Sequence, residues 1–294
     1  MRFRIQLLAA LAQNSYLAFP WTRNIYQGSL KRFCAPGLNC YSCPAAVVSC
    51  PLGILQHFIA GVRPALRWGT YRLGFYIIGL LVAVGLVGGR FSCGWLCPFG
   101  LLQDLLYRLP LPKLQLPRRI GWLRYAVLGL AVIILPAVLT GAMGYGEPWF
   151  CRILCPAGTL EAGSLLGLIP ELREQVGGVF ALKLSVLILV LGLSAVSFRP
   201  YCRGLCPLGA IYGWFNRCSL IGLEHHPHLC TDCGECARGC RSGLDPRTDQ
   251  ASTECLRCLA CATERCTGSA LRVRLGGGTP APVPVTGNPP GSVG

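Results

Sequence analysis

The stretch YRLGFYIIGLLVAVGLVGGRFSCGWLCPFG, Tyr71 to Gly100, runs from an apolar segment straight into a paired-cysteine motif. Its apolar part, Tyr71 to Gly89, is flanked by Arg72 and Arg90. It approaches the roughly 20 residues that a helix needs to cross a hydrocarbon core. The motif that follows recurs: Cys-Pro-x-Gly starts at Cys50, Cys97, Cys155 and Cys206, at intervals of about fifty residues. Three copies carry a second cysteine four residues upstream, at Cys93, Cys151 and Cys202, and apolar runs with helical spacing follow each copy. Cysteine pairs at helix starts alternate with hydrophobic segments, which is the pattern of a membrane-embedded protein that handles metal or redox chemistry.

Composition agrees. Of 294 residues, 52% are hydrophobic and 13% charged, about half the charge of a soluble domain. The 19 cysteines lie at two- and three-residue spacings that suit metal clusters better than a disulfide scaffold. The net charge of +15 reads as Lys and Arg holding loops on the cytoplasmic side, and no nucleic-acid-binding motif accompanies it.

Four spans are expected: Ile5 to Pro20, read as an uncleaved first segment, then Tyr71 to Gly89, Trp122 to Ala142 and Phe180 to Phe198. Pro44 to Val62 and Pro156 to Ile169 read as interfacial or re-entrant helices. The cations Arg90, Arg108, Lys113, Arg118, Arg119, Arg124, Arg199, Arg203 and Arg217 place their loops inside. Glu147, Glu161, Glu171 and Glu174 mark an outer loop, although Arg23, Lys31, Arg32, Arg63, Arg67 and Arg72 in the first outer loop run against this. The expected fold is therefore an all-α integral membrane domain of about four spans over residues 1–222. A small α+β two-cluster ferredoxin-like domain follows at 223–275, then a disordered Gly/Pro/Val-rich tail at 276–294. The localisation expected is the inner (cytoplasmic) membrane, multi-pass, with the ferredoxin domain cytoplasmic.

The most specific signal is Cys230-x2-Cys233-x2-Cys236-x3-Cys240, followed by Cys255-x2-Cys258-x2-Cys261-x4-Cys266. In two-cluster ferredoxins the fourth ligand comes from the other motif. Cys230, Cys233, Cys236 and Cys266 are therefore expected to hold one [4Fe–4S] cluster, and Cys255, Cys258, Cys261 and Cys240 the other. Zinc is the competing reading, since it too takes four thiolates. The usual Pro after the fourth cysteine is replaced by Arg241 and Thr267, and the second motif has one extra residue before Cys266.

A proline just inside a helix is tolerated, and the helix N-terminus stabilises a thiolate or an anionic cluster. Under four spans, Cys93, Cys97, Cys202 and Cys206 gather inside, and Cys40, Cys43, Cys50, Cys151 and Cys155, with Cys34, gather outside. One or two further iron–sulfur clusters is one reading of these sets, and redox-active or disulfide-bonded thiols is the other. A quinone between the two faces is a compatible cofactor. Cys-x-x-Cys-His is absent, and only His57 lies in a membrane segment, so haem is not indicated. Cys218 reads as a packed thiol and Glu147 as a solvated interfacial carboxylate.

Cys93-Gly-Trp-Leu-Cys97-Pro-Phe-Gly, Cys202-Arg-Gly-Leu-Cys206-Pro-Leu-Gly-Ala210 and the doubled ferredoxin motif resemble the NapH/NosR/CcoG group of membrane polyferredoxins. The resemblance runs from about Tyr71 to Leu275. It implies four or more spans, cytoplasmic Cys-x3-Cys-Pro motifs, a cytoplasmic ferredoxin domain, and electron transfer between the quinone pool and respiratory or maturation partners. Cys34, Cys40, Cys43, Cys50, Cys151 and Cys155 depart from the NapH pattern, and NosR-type flavin and CcoG-type C-terminal domains are not seen.

The expected function is a membrane-bound iron–sulfur relay between the quinone pool or a membrane partner and a soluble or membrane oxidoreductase, with electrons crossing the bilayer. The alternative is a metal-handling or cofactor-assembly reductase for a respiratory enzyme. A structural, zinc-stabilised membrane scaffold is the non-redox reading. No nucleic-acid partner is expected.

Overall fold

The structure, a computed structural model, describes residues 1–22, 24–69, 74–141, 144–163, 178–266 and 269–276. The expected tail beyond Gly276 lies outside these residues, as do Arg23, residues 71–73, Ala142, residues 164–177 with Glu171 and Glu174, and Thr267. The chain is mostly helical, with helices α1 (Arg2–Gln13), α2 (Pro51–Ala60), α3 (Phe75–Gly88), α4 (Pro98–Leu106), α5 (Arg118–Val138), α6 (Gly178–Val196) and α7 (Pro207–Trp214). Antiparallel strands β1 (Ile221–His225) and β2 (Leu271–Leu275) pair with Leu223 opposite Val273 and enclose the ferredoxin-type segment.

Among the described residues, only α5 and α6 are long and apolar enough to cross a membrane, at 21 and 19 residues. Just 33% and 22% of their apolar windows are buried in the protein, whereas a core helix of a soluble protein would be mostly covered. Leu130, Ile133, Ile134, Leu182, Ile188 and Leu189 instead point outward, as lipid-facing side chains do. The other two expected spans differ. α1 has 12 residues and α3 has 14, about 18 and 21 Å at 1.5 Å per residue, against a hydrocarbon core of roughly 30 Å. α1 also turns Gln6 and Gln13 inward, where their amides donate to the carbonyls of Gly94 and Leu96. Its polar face is thus occupied by protein.

Each Cys-Pro-x-Gly copy folds alike. The cysteine is the N-cap in extended conformation and proline is the first helical residue, at Cys50, Cys97, Cys155 and Cys206. The helices that follow are short and pack inward: α2 against α3 and α5, α4 against α1 and α6, and α7 against α3 and α5. One hydrophobic core results, holding Leu52, Phe99, Val132, Phe150, Tyr201, Leu208 and Tyr212 around the cysteines. Leu256 belongs to that core, so the ferredoxin-type segment is docked on the helical domain rather than tethered to it.

The loop cations also behave differently from the topological reading. Arg90, Arg124 and Arg199 are fully buried and Arg203 nearly so, while Arg108, Lys113, Arg118, Arg119 and Arg217 are exposed. Cys218, expected to be packed, is exposed, because α7 ends at Trp214 and a short 3-10 turn over Phe215–Arg217 carries it outward. Glu147 is exposed as expected and pairs with Arg152.

Candidate functional site

Cys230, Cys233, Cys236 and Cys266 line one pocket, and Cys240, Cys255, Cys258 and Cys261 line another. The two Cys-x2-Cys-x2-Cys loops share a backbone pattern. Asp232 (φ 56°) and Gly234 (φ 71°) in the first match Arg257 (φ 48°) and Leu259 (φ 62°) in the second, all left-handed. Left-handed residues in such a loop turn successive N–H groups toward one side, which suits an anion. The extra residue before Cys266 has a place: Cys261–Arg265 is a π turn, where the first motif has an α turn over Glu235–Arg238. The wider turn absorbs one residue. Cys266 faces the first loop and accepts from the Leu271 N–H at 3.4 Å.

In the helical domain, Cys93 and Cys97 come from the turn before α4, and Cys202 and Cys206 from the turn before α7. All four are buried. Burial pushes the Cys97 and Cys206 thiols well up, and the neighbouring sulfurs of this quartet add to it. The two halves exchange arginines. Arg90, three residues before Cys93, donates to the Cys202 carbonyl at 2.5 Å, and Arg199, three residues before Cys202, donates to the Cys93 carbonyl at 2.5 Å. Each guanidinium lies over the glycine of the opposite motif. A Cβ at Gly100 would sit 3.1 Å from Arg199 Nη1, and one at Gly209 3.2 Å from Arg90 Nη2. Gly100→Ala is therefore expected to loosen the exchange and cost on the order of 1–3 kcal/mol, measured by thermal unfolding of the detergent-solubilised protein.

The second quartet is Cys40, Cys50, Cys151 and Cys155. A Cβ at Gly158 would lie 3.7 Å from both the Cys155 and Cys40 sulfurs. Burial pushes the Cys155 thiol up, and Cys151, Cys40 and Cys50 push it further. The Cys40 thiol is pushed up to about 12 by burial, with the Glu161 carboxylate the next cause. Glu161 accepts from the Cys40 N–H at 2.5 Å, and burial pushes its own carboxyl up to about 7. Cys43 packs in a small cluster with Ala45 and Ala46, against which Cys40 also packs, its sulfur toward Asn14. Cys34 neighbours Tyr76.

Four full spans would have placed the two quartets on opposite faces of a bilayer. In the fold, all four cysteines of the first quartet and Cys50, Cys151 and Cys155 of the second pack in one core. Tyr201 lies in electrostatic reach of Cys155 and Cys151 of one and of Cys206 and Cys202 of the other. The Cys97 sulfur faces the Leu38 carbonyl at 3.9 Å, two residues before Cys40. Short half-helices allow this approach, because irregular backbone is tolerated at membrane depth where protein buries it.

The first of these quartets also touches the ferredoxin-type segment. Trp95 Nε1 donates to the Arg257 carbonyl at 3.0 Å, Arg90 Nη1 to the Thr253 carbonyl at 2.9 Å, and Asn216 Nδ2 to the Cys255 carbonyl at 2.9 Å.

The residues fit iron–sulfur clusters. Among the described residues, no three Cys, His, Asp or Glu side chains converge closely enough for a single metal ion, yet the two ferredoxin quartets surround open pockets. Arg90 and Arg257 are buried while their hydrogen bonds go to neutral oxygens: carbonyls of Cys202, Thr253 and Asn216, and the Ser219 hydroxyl. A buried cation calls for a counter-charge, and an anionic thiolate-ligated cluster supplies one. Among the described residues, the buried Tyr201 and Tyr212 hydroxyls beside the thiols find no hydrogen-bond partner, as donors awaiting a sulfur would.

Arg90, Arg199, Gln56, Gln103 and Asn216 were not picked out as site residues from sequence. The detectable signal was a fixed offset: Arg three residues before the first cysteine, and Gln six after the second, at Gln56 and Gln103.

A family model described as a 4Fe-4S binding domain matches residues 48–69, 73–117, 128–164 and 180–223, each segment holding one Cys-Pro-x-Gly copy. An uncharacterised protein of Methanocaldococcus jannaschii is 30% identical over 224 residues, 72% of this chain and 81% of that protein. The methylamine utilization ferredoxin-type protein MauN of Methylorubrum extorquens is 32% identical over 195 residues, 66% of this chain and 60% of its own length. YccM of Escherichia coli, named as a proposed electron transport protein, is 26% identical over 286 residues, 91% of this chain and 73% of that one. No solved structure matches the chain.

Proposed function

Because the chain belongs to the 4Fe-4S binding, ferredoxin-type family of membrane electron transport proteins, we propose that it carries four [4Fe–4S] clusters in series. Cys40, Cys50, Cys151 and Cys155 would hold the first and Cys93, Cys97, Cys202 and Cys206 the second. Cys240, Cys255, Cys258 and Cys261 would hold the third, and Cys230, Cys233, Cys236 and Cys266 the fourth. The observation that carries this reading is that seven of the eight cysteines of the two helical quartets share one core, and that hydrogen bonds tie that core to the ferredoxin-type segment. The clusters supply one-electron carriers, and the chain's own residues hold them apart from water at close range. The relay connects the quinone pool or a membrane partner at the buried end with a redox partner at the exposed ferredoxin end. α1 and α3 dip into the bilayer beside α5 and α6, completing four membrane segments, with the ferredoxin domain on the cytoplasmic side of the inner membrane.

The test is iron and acid-labile sulfide in the full-length protein purified anaerobically in detergent. About sixteen irons per chain are expected, at four per cluster. About eight would confine clusters to the ferredoxin segment, and zinc in their place would overturn the redox reading.

A further inference from the structure

We propose that Gln56 and Gln103 are a matched pair of positioning residues that set the reduction potentials of the two buried quartets by donating hydrogen bonds to ligand sulfur. The inference rests on the reading that these quartets hold [4Fe–4S] clusters. Each glutamine stands six residues after its Cys-Pro cysteine, Cys50 or Cys97, and each is 0% exposed. Gln56 Nε2 lies 3.1 Å from the Cys151 sulfur, and Gln103 Nε2 lies 3.1 Å from the Cys202 sulfur. In both cases the sulfur belongs to the first cysteine of the repeat that completes the quartet. The amide orientations are set by their surroundings. Gln56 Oε1 accepts from the Phe150 N–H at 3.2 Å, which leaves its NH2 for Cys151. The Gln103 NH2 also meets the Phe99 carbonyl, which only a donor can do.

Packing alone does not account for a glutamine here. A buried amide must be hydrogen-bonded or it destabilises the core, and Gln103 Oε1 has no partner among the described residues. Leucine or methionine would fill the same space without that cost. What glutamine adds is an N–H aimed at sulfur. Reduction places additional negative charge on a cluster and its thiolates, so a donor to sulfur stabilises the reduced state more and raises the potential. The low-dielectric core strengthens the effect. The same repeat position in the other two copies holds Glu161 and Tyr212. Glu161 accepts from the Cys40 backbone, and Tyr212 lies within electrostatic reach of Cys93, Cys50 and Cys206. The position faces a quartet in every copy, and the two glutamines are the copies that present an N–H to sulfur.

The experiment is a redox titration of the full-length protein, followed by electron paramagnetic resonance, with iron counted in each sample. Gln103→Met and Gln56→Met keep side-chain volume and remove the donor. Each is expected to retain iron and to lower the reduction equilibrium constant of one cluster about tenfold, 59 mV for one electron. The two variants should move different signals, and the double variant both. Gln103→Glu should lower the same signal as Gln103→Met, by at least as much, at alkaline pH where the introduced carboxyl is ionised and has no proton to donate. Unchanged potentials with full iron would overturn the inference. So would loss of the cluster in both Gln103→Met and Gln103→Glu, which would make the role one of folding. Wild-type protein with iron for the ferredoxin segment alone would remove the premise and the inference with it, an outcome separable from the others by the iron count.

Discussion

Arg199→Met is expected to be among the most destabilising single substitutions outside the cysteines. The Arg199 guanidinium is fully buried and bonds both oxygens of Asp104, at 2.7 and 2.6 Å, as well as the Cys93 carbonyl. Removing one partner of a buried ion pair typically costs about 3–5 kcal/mol, because the other charge is left uncompensated. Arg2 and Gln6 also reach Asp104, which should keep the loss near the lower end. Arg199 adopts a left-handed backbone, φ 48°, a conformation that persists only where the surroundings over-determine it. Losing the side-chain bonds therefore releases the turn that carries Cys202. Burial pushes the Asp104 carboxyl up, but Arg199 offsets this and holds it below the usual carboxylate range. That contribution is full above the unfolded pKa and is lost as pH falls through the lowered one. The gap between wild type and variant should thus be largest near neutrality and narrow as pH falls through the carboxylate range. Arg90→Met, by contrast, breaks bonds to carbonyls only, and about 1.5–3 kcal/mol is expected. Thermal unfolding of both variants across pH distinguishes the two; equal losses at all pH values would contradict the assigned role of Asp104.

Cys202→Ser is expected to remove about four of roughly sixteen irons and to stop electrons from reaching the ferredoxin clusters, whose own signals should persist. Cys40→Ser should do the same at the other quartet. Cys43→Ser is the discriminating control. Although Cys43 was among the candidate ligands from sequence, its sulfur faces the Asn14 side-chain oxygen in a small cluster beside Cys40, and full iron is expected. Loss of iron from Cys43→Ser with retention in Cys40→Ser would reassign the fourth ligand. Iron counts on the three variants, with reduction of the ferredoxin signal by a quinol analogue, provide the measurement.

The grouping of cysteines was largely legible in the sequence, since both ferredoxin sets follow from spacing, and the set Cys93, Cys97, Cys202 and Cys206 from the repeat together with a four-span topology. The relation between the sets was not. Hydropathy treats each apolar run as a rod that crosses or does not, so it could not register that α2, α4 and α7 are half-length helices whose N-terminal cysteines meet in one core. Counting loop cations failed similarly at Arg90, Arg124 and Arg199. A positive residue beside an apolar run reads as a membrane-interface marker, and only the fold reveals that these three are buried. The extra residue before Cys266 looked like a departure from the motif because spacing rules assume α turns, and the Cys261–Arg265 π turn accommodates it.

Tyr201 lies in electrostatic reach of thiols of both buried quartets, which share one core, and this bears on how the proposed relay would respond to an energised membrane. A charge crossing the whole bilayer exchanges roughly 2.3 kcal/mol per 100 mV with the field. Under the proposed relay, an electron stepping between two clusters that share one core would traverse only part of that thickness, and its driving force would change by the same part. Exchange between the two proposed centres should therefore respond to voltage less than a full crossing would. Most of the electrogenic work of such a relay would fall on the steps by which electrons enter and leave the chain.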